Sequence, residues 1–384
     1  MLFGLFLGFC ADRKSQRSQA IWLLYNWKWI CKAWYAAQGK KFARQGTPSQ
    51  SAISRLLKQF KPSYLAKLMT QYGRDGFLKE WNVYVKMSKE KARIKNARRK
   101  KRREKDPRVK RRTYTPATKH LPQYCLDGKS RSGCVSKLTG RTEIDLTIYS
   151  PETSQILGHA TLPDKVGEQA AAFAMIFAHG KELPTGVFTG DAGITSPEVV
   201  RAIRAMKHGY LLGVKGNAGK VYDVIEAFAW DKVGDKDMFF NEGHGRQEIR
   251  TVKSAPVGAF ESSEFDKYAD VARVYLVRSD VYRPKTKEWT TDTRFFIADR
   301  SIAGLSPHEA LTYIRDHWKQ ESYHWVKDVV LGEDACATKT SNGSQTLGLV
   351  RAAVVKAATL IAGSVKKFQD HFSASPEKTY TEGL

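Results

Sequence analysis

The order of strand and helix patterns between residues 115 and 235 constrains the fold of this chain more than any other feature. Short runs of alternating or continuously apolar residues predict strands, and capping residues such as Ser196 and the stop at Gly209 mark helix ends. Strands are predicted at 124–126, 143–149, 155–162, 186–189 and 210–215, and helices at 168–179, 197–208 and about 221–230. The sequence therefore predicts an α/β domain.

Three strands, a helix, a strand, a helix and a strand, in this order, are typical of the ribonuclease H-like fold. In that layout the first and fourth strands are neighbours, a spatial inference that rests on fold analogy. Asp127 would lie on the first strand and Asp191 at the end of the fourth. Carboxylates near strand ends are costly to bury unless they are paired or bind a cation, so these two are candidate site residues.

A third candidate carboxylate, Glu321, lies on a helix that begins at Ser306 and Pro307, a good N-cap and first-turn pair. His317, Glu321, His324 and Asp328 follow at spacings of 4, 3 and 4, which place all four on one helix face. Three carboxylates from two strands and a helix could hold two Mg²⁺ ions for phosphoryl transfer.

Two other readings of these acids stay open at this point. The three carboxylates could be unrelated surface acids. His317, Glu321 and His324 could instead bind zinc, but two histidines seven residues apart lie about 10 Å apart along a helix axis, which is far for one ion.

The charge of the chain indicates a polyanionic partner. Its 384 residues include 64 Lys and Arg against 39 Asp and Glu, which gives a net charge of +25. Such an excess most often accompanies nucleic-acid binding. A hydrophobic content of 42% argues against a disordered basic protein and for a packed core.

About half of the excess charge is concentrated in one segment, residues 86–112, which holds 16 Lys and Arg and 3 acids. Its centre consists of Arg98, Arg99, Lys100, Lys101, Arg102 and Arg103. The composition permits a helix, and we expect it to fray until phosphates neutralise the like charges. Nucleic-acid contact is the favoured interpretation; a solvated linker or a nuclear import signal is the alternative.

Residues 1–85 are predicted to be all-helical. The patterns indicate a packed segment at 1–11, a buried helix at 20–37, a second helix with Thr47 as its N-cap and a third at 63–72. Short helices with a basic amphipathic member suggest a helix-turn-helix DNA reader, although a small helical bundle is equally compatible. Five cysteines without CxxC spacing suggest neither a zinc knuckle nor a disulfide framework, as in a reducing cytoplasm.

Residues 236–299 are predicted as a β-rich insertion. Gly243 and Gly245 permit a tight turn, and Arg246, Glu248 and Arg250 would face one side of the strand that follows. The hairpin is either a solvated sheet face or a DNA contact near the active site. The remaining boundaries are a basic helical linker at 86–114, a catalytic domain at 115–235 and 300–370, and a tail at 371–384.

Several short runs, in this order, resemble the DDE transposases of the H-repeat-associated insertion-sequence family. They are Asp127-Gly128-Lys129, Gly190-Asp191-Ala192, residues 212–217, His244-Gly245-Arg246, Arg315-Asp316-His317-Trp318, residues 324–329 and Gly332-Glu333-Asp334. Each run alone is weak, but their order and spacing cover most of the chain.

The resemblance implies a ribonuclease H-like catalytic domain with a β-rich insertion, preceded by a small all-helical N-terminal domain. It implies that Asp127, Asp191 and Glu321 hold two Mg²⁺ ions, for which Mn²⁺ can substitute. The implied activity is DNA cleavage at transposon ends and 3′-hydroxyl strand transfer. The partner would be double-stranded DNA, bound by at least a dimer in the bacterial cytoplasm.

DNA contacts are expected from the basic segment and from eight further residues: Lys129, Lys215, Asn217, His244, Arg246, Arg250, His317 and His324. A domesticated or inactive DNA-binding derivative is one alternative function. A ribonuclease H-like nuclease or recombinase with another role is the other.

Overall fold

The computed structural model describes residues 1–41, 46–105, 114, 116–135, 139–243, 245–336, 338 and 340–383. For residues 91–92, 95–105, 132–133, 378 and 381–383 it describes the backbone alone. His244 and the side chains of residues 98–103 therefore lie outside the described part of the chain.

Within the described residues, the strands form one sheet in the order β3-β2-β1-β4-β5-β9-β8-β7-β6. The strands are β1 Gln123–Val135, β2 Thr142–Ser150, β3 Gln155–Leu162, β4 Val187–Gly190, β5 Gly209–Val214, β6 Lys236–Gly243, β7 Arg246–Pro256, β8 Val271–Arg283 and β9 Glu288–Asp299. The chain is thus a mixed α/β protein with a large sheet.

Strands β1 to β5 form the half of the sheet that the sequence predicts most accurately. β1, β2 and β3 are antiparallel neighbours, whereas β4 runs parallel to both β1 and β5. The predicted adjacency of the first and fourth strands is confirmed. β1 is much longer than the predicted 124–126, because its pairing with β2 continues past Asp127.

Strands β6 to β9 extend this sheet. β9 pairs antiparallel with β5, and the register aligns Val214 with Phe295, Phe295 with Leu276 and Leu276 with Lys253. Beyond Lys253, seven residues of β7 extend back to Arg246, and beyond Leu276, seven residues of β8 extend to Arg283. At about 3.3 Å per residue, the β6–β7 and β8–β9 hairpins project roughly 23 Å past the end of β5.

The helices are α1 Leu2–Cys10, α2 Gln16–Ala37, α3 Gln50–Gln59, α4 Pro62–Lys105, α5 Glu168–His179, α6 Pro197–Ala205, α7 Lys220–Ala227, α8 Pro307–His317, α9 Lys319–Trp325, α10 Ser341–Ala362, α11 Val365–Ala374 and α12 Pro376–Gly383. Ser49, not Thr47, caps α3: its side chain accepts a hydrogen bond from the Ala52 amide. The hydrogen bond of its side chain therefore identifies Ser49, and not the nearby Thr47, as the N-cap of α3.

Two helical layers cover the two faces of the β1–β5 half. One layer, with α5 and α6, packs on Leu126 and Ile148. The other layer, with α1, α2, α10 and α11, shares a core with Cys125 and Tyr149. The N-terminal helices are present as predicted, but within the described residues α1 to α3 pack into this shared core.

Helix α4 merges two predicted elements. The third helix was expected to end near residue 72, yet α4 continues without interruption from Pro62 to Lys105. Gly73 does not stop it, because this glycine lets α4 approach β3: a Cβ there would lie 2.7 Å from the Ile156 carbonyl oxygen. The described part of the predicted linker, residues 86–105, is therefore the second half of one long helix.

Helix α10 is the central helix of the second layer. Its length and apolar composition would suit a membrane span, but 56% of the apolar window is buried inside the protein. It also carries the buried Arg351, which donates to the Leu331 carbonyl at 3.1 Å. These features are those of a core helix.

Candidate active site

Strand register brings the first two predicted carboxylates together. Leu126 of β1 is aligned with Gly190 of the parallel strand β4, so the next residues, Asp127 and Asp191, lie side by side. The Asp191 carboxylate accepts hydrogen bonds from the amides of Gly193 at 3.0 Å and Ile194 at 3.2 Å. These bonds hold the turn that follows β4.

Glu321 reaches the same place through an anchored helix. Gln320 is fully buried and donates a 2.8 Å hydrogen bond to Thr147 of β2. Thr147 is the direct cross-strand partner of Asp127. This anchor sets α9 against β2 opposite Asp127 and leaves the adjacent Glu321 exposed beside it.

The helix that carries Glu321 is broken, contrary to the prediction of one continuous face. A capping box of Ser306 and Glu309 begins α8 as expected, but α8 ends at His317 and Trp318 caps it. α9 begins at Lys319, and a π-helical turn, Val326–Val330, follows it. His317, Glu321, His324 and Asp328 therefore do not form a single stripe.

Each of the two histidines lies beside one aspartate. His317 Nδ1 is hydrogen-bonded to Thr189 Oγ1 at 3.1 Å, and burial lowers the pKa of His317 to about 4 although Asp191 opposes this. His324 Nδ1 lies 3.6 Å from Asp127 Oδ2. Burial, assisted by Lys327 and Lys129, lowers the pKa of His324 to about 3. Both imidazoles are neutral at pH 7 and add no positive charge.

The negative charges of these carboxylates consequently repel one another. Burial raises the pKa of Asp127 to about 7, and the negative charges of Asp191, Glu168 and Glu321 add to the effect. The Gly128 amide, which donates to Asp127 at 2.9 Å, acts in the opposite sense and lowers the pKa. The charges of Asp191 and Glu321 thus act on Asp127 at the ends of β1 and β4.

Glu168 is a further acid whose charge acts on Asp127, and the sequence reasoning did not select it. It begins α5, and its carboxylate lies against Gly128 of β1. An acid in the first turn of a helix is common because it suits the helix dipole. The local sequence therefore contains no signal that separates Glu168 from an ordinary helix start.

The donor set fits a divalent cation. Carboxylate oxygens are the ligands that Mg²⁺ and Mn²⁺ prefer, and a cation would offset the repulsion that raises the pKa of Asp127. Among the described residues, no group of three or more His, Cys, Asp or Glu side chains is packed closely enough to enclose a metal ion.

A cleft of about 60 Å³ opens beside Asp191, between β4, β5, β9 and the end of α8. Lys215 is exposed on its rim. Asn217 donates a 2.6 Å hydrogen bond to the Ala192 carbonyl and so supports the turn after Asp191. Arg294, which the sequence reasoning did not select, lies over the Trp318 ring at 4.9 Å.

Lys129 occupies a different environment from the one expected of a DNA contact. Its ammonium is buried, 2.6 Å from Asp328 and 3.1 Å from Glu333. It belongs to a group of six buried charged side chains, which we name the balanced network: Lys129, Arg131, Glu143, Asp145, Lys327 and Glu333. A phosphate contact by Lys129 would require it to leave these partners.

The predicted hairpin exists, but its charged residues do not share one environment. Arg246 is exposed and pairs across the turn with Gly243. Arg250 is buried in an ion pair with Glu248, which also accepts a 2.6 Å hydrogen bond from Ser279. The expected solvent-facing row is thus limited to its first residue, and His244 lies outside the described residues.

The sequence also matches a known family. A family model described as "Transposase DDE domain" matches residues 146–355, more than half of the chain. The match includes Asp191 and Glu321, and Asp127 lies before it. The chain belongs to the DDE transposase family.

Named relatives agree with this assignment. "Putative transposase YncI" of Escherichia coli O157:H7 is 27% identical over 59% of this chain and 59% of its own length. "H repeat-associated putative transposase YhhI" of Escherichia coli strain K12 is 26% identical over 59% of this chain and 61% of its own length. The resemblance to the H-repeat-associated transposases is confirmed. The chain spans about three fifths of the length of these relatives.

Among solved structures, the piggyBac transposase synaptic complex with hairpin DNA is similar at a TM-score of 0.36 and 10% identity. The similarity covers 70% of this chain and 55% of that one.

Proposed function

We propose that this protein is a DNA transposase that cleaves phosphodiester bonds at transposon ends and transfers the freed 3′-hydroxyl to target DNA. The observation that carries the proposal is the convergence of Asp127, Asp191 and Glu321 from two neighbouring strands and a helix, with the pKa of Asp127 raised to about 7. A group of acids held together without cations is costly unless it serves a bound cation.

Asp127, Asp191 and Glu321 would hold the divalent metal, which we expect to be two Mg²⁺ ions. When bound, the ions supply charge neutralisation at the phosphate and lower the pKa of water. The protein contributes orientation. The Gly193 and Ile194 amides fix the Asp191 carboxylate, and the Gln320–Thr147 hydrogen bond fixes the helix of Glu321.

The two neutral histidines would act as positioning groups. His317 is held by Thr189, and His324 lies beside Asp127. A neutral imidazole can donate to or accept from a phosphate, a sugar or a water without adding a competing charge near the metal. Their roles as DNA contacts remain predictions.

The strand order of β1 to β5 supports a ribonuclease H-like catalytic unit, with β6 to β9 as its insertion. β6 and β8 run in the same direction as β1 and β5, so both insertion hairpins project from the edge that carries the carboxylates. This arrangement favours a role for the two hairpins in binding DNA beside the carboxylates.

Double-stranded DNA is the proposed partner. Lys215 and Arg294 line the cleft beside Asp191, and Arg246 lies on a projecting hairpin. Residues 98–103 would add phosphate contacts along α4. Joining two element ends implies at least a dimer on DNA. The cytoplasmic, nucleoid-associated location follows from this substrate and remains a prediction.

The test is strand cleavage of duplexes that carry the ends of the encoding element, with Mg²⁺ or Mn²⁺. Asp127→Asn, Asp191→Asn and Glu321→Gln should each abolish cleavage, because each removes a metal-binding charge, while duplex binding persists. Glu198→Gln is the matched control, since Glu198 is an exposed acid in the first turn of α6. Wild-type cleavage by one of the three variants would remove that residue from the site.

A further inference from the structure

A chain of buried hydrogen bonds connects Lys119 to His317, the histidine that lines the cleft beside Asp191. The Lys119 ammonium donates to the Oε1 atom of Gln123. The Gln123 amide nitrogen donates to Thr189 Oγ1 at 2.8 Å, and Thr189 Oγ1 lies 3.1 Å from His317 Nδ1. Lys119, Gln123 and Thr189 are each at most 3% exposed, so bulk water does not compete for these bonds.

The surroundings of Gln123 determine which end of its amide faces Thr189. An ammonium has donors and no acceptor, so Lys119 requires the carbonyl oxygen of the amide on its side. The backbone carbonyl of Tyr313 can only accept, and it lies 2.8 Å from the amide nitrogen. The two N–H groups of Gln123 therefore point to the Tyr313 carbonyl and to Thr189. Thr189 Oγ1 accepts from Gln123, and its own proton is left for another partner.

The proton of the Thr189 hydroxyl has two acceptors within reach. One is His317 Nδ1 at 3.1 Å, and the other is Cys125 Sγ at 3.6 Å. A thiol sulfur is a weak acceptor, whereas the bare nitrogen of a neutral imidazole is an ordinary one. Thr189 therefore donates to Nδ1. Burial lowers the pKa of His317 to about 4, so at pH 7 the ring carries one proton, and that proton lies on Nε2.

The Nε2 atom of His317 belongs to a ring that lines the cleft beside Asp191. Among the described residues, the ring has a hydrogen bond to Thr189 through Nδ1 and none through Nε2. The cations Lys215 and Arg294 line the same cleft. An N–H donor beside two cations suits an oxygen that carries negative charge, as the phosphodiester of DNA does. A phosphate oxygen is therefore the acceptor that fits Nε2.

From this chain of directed hydrogen bonds, we propose that Thr189 and Gln123 hold His317 as its Nε2–H tautomer, which donates a hydrogen bond to a phosphate oxygen of DNA bound in the cleft. The proposal rests on the proposed function and deepens it, because it gives the direction of the bond between His317 and the phosphate. His317 contacts the substrate, whereas Thr189, Gln123 and Lys119 are positioning residues. The opposite tautomer would turn a bare nitrogen towards the phosphate, and two acceptors cannot form a hydrogen bond.

The tautomer is measured by nuclear magnetic resonance of the full chain labelled with ¹⁵N-histidine, at pH 7 and without metal or DNA. A bare ring nitrogen and an N–H nitrogen differ widely in ¹⁵N chemical shift, and the spectrum of His317→Gln identifies the signals of His317 by their loss. We expect the wild type to carry the proton on Nε2. A wild-type ring with its proton on Nδ1 overturns the proposal.

Two substitutions test the positioning residues by the same measurement. Thr189→Val keeps the β-branched shape and removes the hydroxyl, so both tautomers of His317 should appear. Gln123→Glu replaces the amide donor by an acceptor, so Thr189 should donate to residue 123 and accept from His317, which moves the ring proton to Nδ1. Thr189→Ser retains a hydroxyl and should retain Nε2–H. An unchanged tautomer in Thr189→Val and Gln123→Glu overturns the proposal, and Gln123→Glu decides if Thr189→Val does not fold.

Cleavage of end-carrying duplexes connects the tautomer to the reaction. With Mg²⁺ and saturating duplex, Thr189→Val should cleave at least about tenfold more slowly, whereas Thr189→Ser should stay within about twofold of the wild type. Thr312→Val is the control for the loss of a buried threonine hydroxyl, because Thr312 of α8 bonds the Ala117 amide at 2.9 Å and the His308 carbonyl at 3.1 Å. It should cleave as the wild type does. Wild-type cleavage by Thr189→Val contradicts the proposal.

The His317 signal also separates this proposal from the proposed function. Addition of an end-carrying duplex in EDTA should shift the Nε2–H signal of the wild type, because a phosphate oxygen accepts from it. If the signal shifts and the wild type cleaves no DNA, the transposase activity is wrong and the phosphate contact stands. If cleavage is normal and the signal does not move, the proposed function stands and the contact at His317 is wrong. If neither is observed, both are wrong.

Discussion

Two groups of charged side chains meet at strand β1, and they differ in how their charges are compensated. The balanced network contains three cations and three carboxylates, linked by ion pairs such as Lys129–Glu333 at 3.1 Å and Arg131–Glu143 at 2.7 Å. The site acids begin at Asp127, two residues earlier, and among the described residues Asp127, Asp191 and Glu321 form no ion pair with a lysine or an arginine.

The pKa shifts record this difference. Burial opposes ionisation of Glu333, but Lys327, Lys129 and Arg351 outweigh it and lower the pKa of Glu333. Burial also opposes ionisation of Asp127, and there the neighbouring acids reinforce it and raise the pKa to about 7. Buried charge alone does not mark a site. A carboxylate that lacks a compensating positive charge is the feature that indicates a functional site.

The largest effect on stability is expected from breaking the balanced network. Glu333→Gln keeps the side-chain shape but leaves Lys129 and Lys327 without the carboxylate that they share. Lys129 keeps Asp328 at 2.6 Å, but the buried Lys327 loses its ion-pair partner. We therefore expect a loss of about 3 kcal/mol in the free energy of unfolding, measured by urea denaturation.

The exposed pair Glu198–Arg201 on α6 is the control for that change. Its side chains are more than half exposed, so Glu198→Gln should cost less than about 1 kcal/mol. A loss of similar size in both variants would mean that the balanced network is not what holds β1 against the second helical layer.

At Asp127, in contrast, removal of the charge is expected to raise the free energy of unfolding. Without metal, Asp127→Asn should raise the free energy of unfolding above pH 7, on the order of 1–2 kcal/mol, because it removes a repelled carboxylate. The folded-state pKa of about 7 lies above the ordinary value of 3.8, so the folded protein holds a proton that the unfolded chain releases. That contribution is present below about pH 4 and is lost as the pH rises through 7.

The measurement is thermal or urea unfolding in EDTA at several pH values. The difference between Asp127→Asn and the wild type should disappear near pH 4 and grow towards pH 8. A variant that is destabilised at pH 8 would show that Asp127 is compensated by a partner, and the contrast between the two groups would fail.

The features of the fold that can be predicted from the sequence are those determined by local periodicity. Alternation and capping residues predict β2, β3, α5 and the start of α8 to within a few residues, and the order of elements predicts that Asp127 and Asp191 are neighbours. The strands and helices depend on residues close together in the chain, whereas the adjacency of Asp127 and Asp191 was predicted from fold analogy.

The rest depends on contacts between distant segments. Gly73 permits contact with β3, where the sequence suggested a stop, and Trp318 ends α8 inside a helical pattern. The pairing of Lys129 with Glu333 and the approach of Glu168 to Gly128 join residues from different layers. The sequence therefore predicted Asp127, Asp191 and Glu321 as site acids, but it could not separate paired charges from unpaired ones.

The smallest stability effect is expected on strand β7, where the same contrast recurs between Arg250, which is buried and paired with Glu248, and the exposed Arg246. Arg246→Ala should change the free energy of unfolding by less than about 0.5 kcal/mol, because the side chain lies on the surface. If Arg246 contacts a phosphate, the variant should bind duplex DNA more weakly, and the slope of log affinity against log salt should shrink by about 0.9. End cleavage should fall accordingly. Arg201→Ala, an exposed arginine on α6, is the control and should keep the wild-type slope. An unchanged slope in Arg246→Ala would make the projecting hairpin a scaffold, and its exposed arginine would then be solvated charge rather than part of the DNA-binding surface.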